Sequence, residues 1–87
     1  MHRSADELRA DGNAHYDAQR WNDAAQAFER ALALEPGSVE TWYRLGNALQ
    51  EQGHDQRALE CFEKVVALDP AHAKAWNNAG LLRQKLG

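Results

Sequence analysis

Apolar residues recur along the chain at three- and four-residue spacing, and no stretch alternates strictly between apolar and polar. That is the period of amphipathic helices and not of strands. Trp42, Leu45, Ala48 and Leu49 form one such stripe, which Gly53 ends. Ala58, Leu59, Phe62, Val65 and Val66 form the next, closed by "LDP". Ala24, Phe28, Ala31 and Leu32 line an earlier helix, and Ser4 with Glu7 is a capping-box pair that opens the first one. Pro36 and Pro70 stand just past two of these helices, where proline stops continuation without losing a hydrogen bond. The pattern predicts an all-α chain of five helices.

The same stripes recur in register. A shift of 34 residues lays "DGNAHYDAQRWNDAAQAFERALALEPGS" over "LGNALQEQGHDQRALECFEKVVALDPAH". Gly12 then meets Gly46, Asn13 meets Asn47, Ala24 meets Ala58, Phe28 meets Phe62, and Pro36 meets Pro70. A second shift carries Trp42 onto Trp76, Gly46 onto Gly80 and Gly53 onto Gly87. The chain therefore divides into a first unit at 5–38, a second at 39–72 and a half unit, or capping helix, at 73–87. Each full unit is a helix pair. Gly12, Gly46 and Gly80 fall inside helices, where glycine costs about 1 kcal/mol against alanine, and a register-locked glycine implies close helix–helix approach. Phe28, Trp42, Gly46, Phe62, Trp76 and Gly80 are thus expected in the structural core, with Trp76 and Gly80 packed on the preceding unit.

Trp42-x2-Leu45-Gly46-x2-Leu49, Ala58-x3-Phe62 and Pro70 resemble the tetratricopeptide repeat, whose period is also 34 residues. The first unit matches through Leu8, Gly12, Ala24, Phe28, Ala31 and Pro36, and departs at Asp11 and His15. The half unit keeps Trp76, Ala79 and Gly80. The resemblance implies an α-solenoid of stacked antiparallel helix pairs in one domain, 1–87. It also implies a concave groove, lined by the first helix of each unit, that takes an extended peptide or partner segment.

Carried over position by position, the groove falls on Arg9, Asn13 and Tyr16 of the first unit, Tyr43, Arg44 and Asn47 of the second, and Lys74 and Asn78 of the third. A carboxamide both donates to and accepts from a peptide backbone, which suits Asn13 and Asn47 to that use. Some members of the family hold a peptide's terminal carboxylates in a clamp of basic residues and Asn. Arg9, Asn13 and Lys74 match that arrangement, but Arg44 stands where the family has Asn and Asn78 where it has Arg. Asp6, Asp17, Glu40 and Glu51 would also repel an acidic peptide, so the clamp is partial and permuted.

Composition narrows the alternatives. With 87 residues, 44% hydrophobic and 26% charged, the chain has the make-up of one small globular domain. Net charge of −3 argues against nucleic acid as the partner. No apolar run is long enough for membrane insertion, and "MHRSADE" lacks the apolar core of a secretory signal. Cys61 is the sole cysteine, so the expected compartment is reducing, the cytoplasm. His2, His15, His54 and His72 show no metal-ligand spacing, so neither metal nor cofactor is expected. Ser4 and Ser38 precede helices as caps, and His54 and Cys61 lie about 10 Å apart along a helix, too far for a thiol–imidazole pair. No enzyme is expected.

A protein–protein interaction scaffold or adaptor, with a protein or peptide as partner, is the first reading of function. The alternative is a self-associating module, dimeric or stacked through the half unit. The body is acidic, whereas residues 73–87 carry only Lys74, Arg83 and Lys85, a charge difference expected to draw neighbouring copies together. A polar cap formed by Arg83, Gln84 and Lys85, or the cut edge of a longer array, accounts for the same terminal helix.

Overall fold

The computed structural model describes residues 3–87; Met1 and His2, the latter one of the four histidines considered above, lie outside them. Five helices follow in order: α1 (Ala5–Asp17), α2 (Trp21–Leu34), α3 (Val39–Glu51), α4 (Asp55–Leu68) and α5 (Ala73–Leu86). Their ends are written locally. The Ser4 hydroxyl accepts from Glu7 N while Glu7 Oε1 accepts from Ser4 N, both at 3.1 Å, which closes the capping box on α1. Ser38 accepts from Thr41 N to cap α3, and His72 Nδ1 does the same for Ala75 N at 3.1 Å on α5. The turns after α1 and α3 share a left-handed residue at one register, Gln19 (φ 61°) and Gly53 (φ 82°).

Each helix packs mainly on its chain neighbours: α1 on α2, α2 on α3, α3 on α4 and α4 on α5. The result is an elongated stack of antiparallel pairs, 43 × 24 × 17 Å, as the repeat implies. One core runs through it. Phe28 and Phe62 are fully buried, with Ala24, Leu32, Leu45, Leu49, Ala58, Val65, Ala75, Ala79 and Leu82 continuing the cluster from α2 to α5. Ala24 and Ala58 are fully buried, and Phe28 and Phe62 pack against Gly12 and Gly46 of the first helix of their own pair. Among the described residues no helix is long and apolar enough to cross a membrane.

Four expectations need correction. Trp76 is not in the core but 48% exposed, and Trp42 is only partly buried, at the core's edge. Gly80 makes no close approach, since a Cβ there would meet nothing within 4 Å. Cover makes the difference: Gly46 meets Phe62 and Trp42 meets Lys64, both on α4, and among the described residues nothing meets Gly80 in that way. Two of the three basic residues of α5 pair within the chain. Arg83 pairs with Glu63 at 3.0 Å and Lys85 with Asp55 at 2.8 Å, so the tail is held to its own body. Trp21, the first residue of α2, sets its ring edge-on to Tyr16 at 5.3 Å.

Candidate functional site

The candidate site is the face shared by α1, α3 and α5, and its centre is a set of cross-helix hydrogen bonds. Arg44 Nη1 of α3 donates to Asn13 Oδ1 of α1 at 3.0 Å. One turn on, Asn47 Nδ2 donates to the Tyr16 hydroxyl at 3.1 Å. Both pairs span 31 residues, the repeat less one turn of three, which joins successive first helices. The Arg44 guanidinium also lies 5.5 Å from the centre of the Tyr16 ring. Tyr16 in turn rests on Phe28 with centroids 6.2 Å apart, so the polar face stands directly on the core.

The cations on this face have internal partners. Arg44 Nε donates to Glu40 at 2.7 Å, and Arg9 is held by Asp6 and, at 2.7 Å, by Glu35 just past α2. The hydrogen bond from Arg9 to Glu35 raises the guanidinium pKa further above its ordinary value. Among the described residues no hydrogen bond takes up Asn13 Nδ2 or Asn47 Oδ1. The face therefore presents one spare donor and one spare acceptor, held in place by their occupied halves.

The structure brings Arg9, Asn13, Tyr16, Arg44 and Asn47 into this arrangement but leaves three expected residues outside it. Tyr43 lies between Phe62, at 5.7 Å, and the His72 ring, at 4.8 Å, so it packs against the α4–α5 turn. Lys74 is exposed and Asn78 half-buried, neither bonded to the rungs below. Position 81, where the third rung would continue Asn13 and Asn47, is Leu81, 56% exposed.

A second concavity has no counterpart in the sequence reading. It is a cleft of about 550 Å³ on the second-helix side, with Leu32, Trp42, Leu45, Leu49 and Cys61 among its lining residues. Glu29 and Arg57 bridge α2 and α4 across its edge at 2.6 Å. Its walls are the outer flanks of core positions, so apolar periodicity alone could not distinguish it from the core. Burial pushes the Cys61 thiol up to about 12, which leaves a neutral, weakly nucleophilic sulfur. Among the described residues no cluster of three metal-ligating side chains forms.

Comparisons with known proteins agree on the architecture. A family model described as tetratricopeptide repeat matches residues 15–84. No curated protein matches the chain in sequence. Among solved structures, MamA superposes with a TM-score of 0.90 at 27% identity, covering 97% of this chain and 49% of its own. The Sgt2 TPR domain of Aspergillus fumigatus gives 0.82 at 27% identity, covering 94% and 54%. The first TPR of Spaghetti (RPAP3), bound to the HSP90 peptide SRMEEVD, gives 0.86 at 19% identity, covering 95% and 66%; at that identity the likeness is one of fold. The chain thus spans about half of the MamA and Sgt2 chains it resembles.

Proposed function

The chain belongs to the tetratricopeptide repeat family, generally a protein-interaction module, and from that premise we propose that it binds an extended segment of a protein partner along the face of α1, α3 and α5. The reading takes residues 1–87 as one domain of two full repeats and a half repeat. The observation that carries it is the pair of rungs, Arg44–Asn13 and Asn47–Tyr16. An extended backbone offers donors and acceptors in alternation along its length. Asn13 Nδ2 and Asn47 Oδ1 answer one of each, and their other atoms are tied down, so little side-chain entropy is lost on binding.

A carboxylate clamp is not part of this reading. Arg9 and Arg44 are already neutralised by Asp6, Glu35 and Glu40, and recruiting them to a carboxylate would break those pairs. The partner is recognised through its backbone. The HSP90 peptide on the Spaghetti domain is a precedent for the fold, not for this chain's ligand.

The test is a peptide array probed with the 87-residue chain, its strongest hits measured by fluorescence anisotropy. Replacing Asn13→Ala and Asn47→Ala together is expected to weaken binding by about tenfold or more while the helical circular dichroism persists. Unchanged affinity in the folded double variant sinks the proposal.

A further inference from the structure

The cleft between α2, α3 and α4 has an apolar floor and two defined ends. Leu32, Leu45, Leu49 and Cys61 make the floor, each at most 5% exposed. Along α4 the lining runs from Arg57 to Lys64, about 10 Å at the helical rise. The Glu29–Arg57 ion pair, at 2.6 Å, closes one end. Trp42 stands at the other, where its Nε1 donates to the Pro36 carbonyl at 2.7 Å and so fixes the indole as a wall. The Lys64 ammonium lies 5.7 Å from the centre of that ring.

The cleft selects against charge. Its charged lining residues are two acids, Glu29 and Glu60, and two bases, Arg57 and Lys64, so the rim holds no net charge to draw an ion. The indole N–H of the apolar wall is already spent on Pro36, and the Cys61 thiol is neutral. Among the described residues the one buried side-chain atom without a partner is Asp55 Oδ1, which does not line the cleft. An ion moved onto this floor would lose its water and gain no partner. The repeat does not require such a floor. In the next unit the counterpart of Leu49 is Arg83, which pairs with Glu63 at 3.0 Å, so a charged side chain stands where the cleft has leucine.

We propose that this cleft binds a small, uncharged aromatic molecule, which packs on the Trp42 ring and covers Leu45, Leu49 and Cys61. Its volume of about 550 Å³ falls within the range of roughly 300–1,000 Å³ common to small-molecule sites. The fixed indole favours a ring over a flexible chain, through offset or edge-on aromatic contact. A protein surface is not the occupant. It would rest on the exposed charged rim, whereas a small molecule reaches the buried floor. The cleft lies within the two full repeats and uses no residue of the hydrogen-bonded face on α1 and α3, so this proposal and the peptide-binding reading can fail separately.

The probe is the uncharged dye N-phenylnaphthylamine, set against anilinonaphthalene sulfonate, which adds an anion to the same skeleton. Each is titrated into the 87-residue chain by fluorescence, and the indole N–H resonances are followed by NMR. Saturable binding of the neutral dye is expected to shift the Trp42 resonance more than those of Trp21 and Trp76. Its affinity is expected to exceed that of the sulfonate by about tenfold or more. Ala33 lines the cleft but is itself exposed, so Ala33→Phe narrows the site and leaves the core alone. That variant is expected to weaken the neutral dye by about tenfold or more while the helical circular dichroism persists. The proposal is overturned by an absence of saturable binding, by an unmoved Trp42 resonance, or by binding that Ala33→Phe leaves unchanged. Equal or tighter binding of the sulfonate overturns it as well. So does light scattering that shows the chain dimerising, with dimerisation lost in Ala33→Phe, since a second copy would then be the occupant.

Discussion

The Phe62 ring lies so close to Gly46 that even a methyl group on that glycine would overlap it, 2.8 Å from Cε1 and 2.9 Å from Cζ. Phe28 stands in the same relation to Gly12, one repeat earlier. Each pair joins the two helices of one repeat, and it explains why glycine is kept inside a helix that would otherwise prefer alanine.

Gly12→Ala and Gly46→Ala should each destabilise the chain, although alanine is the better helix former. The ring is fully buried and has nowhere to move, so overpacking is expected to cost about 1–3 kcal/mol, beyond the helix-propensity gain. Chemical denaturation with a two-state fit checks this. A rise in stability for either variant would mean that the core yields more than its burial implies.

Aromatic truncations should grade with cover, not with repeat position. Phe62→Ala removes a fully buried ring and is expected to cost about 3–5 kcal/mol. Trp76→Ala should cost clearly less than Trp42→Ala, because the Trp76 ring is 48% exposed and lacks the Lys64 contact. The same denaturation series tests the order, and equal costs for the two tryptophans would contradict it.

Gln19→Gly should stabilise the chain. Gln19 holds a left-handed backbone (φ 61°) at the register where the next repeat has Gly53 (φ 82°). A non-glycine residue pays about 1 kcal/mol or more for that conformation, and the loss of unfolded-state restriction offsets only part of the relief. A gain in melting temperature of a few degrees is the expected readout.

The Glu7 carboxyl should titrate below its ordinary value near 4.5, because the Ser4 backbone N–H, then its hydroxyl, favour the charged form. The sign follows from that direction. A carboxyl whose pKa is lower folded than unfolded stabilises the fold above the unfolded pKa and loses that contribution as pH falls through the folded one. Carbon NMR of the Glu7 side chain gives the midpoint directly. Ser4→Ala should move it only part of the way upward, because the backbone N–H remains; an unmoved midpoint would remove the Ser4 hydroxyl as a cause.

Periodicity settled the helices and the repeat of 34 residues settled their order, because a helix's apolar stripe and its caps are local properties written within a few turns. The Ser4 box, the Ser38 cap and the five helices could all be read that way. Which neighbour each residue meets is not local. Gly80 and Trp76 read like their counterparts, yet a close approach needs a ring to meet it, and a side chain's cover depends on what lies across from it. The groove shows the same division. Repetition placed Asn13, Arg44 and Asn47 on successive first helices, but only packing brought Arg44 onto Asn13 and Asn47 onto Tyr16. It also diverted Tyr43 to His72 and tied Arg83 and Lys85 to α4. The chain's pattern determined which surfaces exist, and the stacking of one helix on the next decided which of them are already occupied.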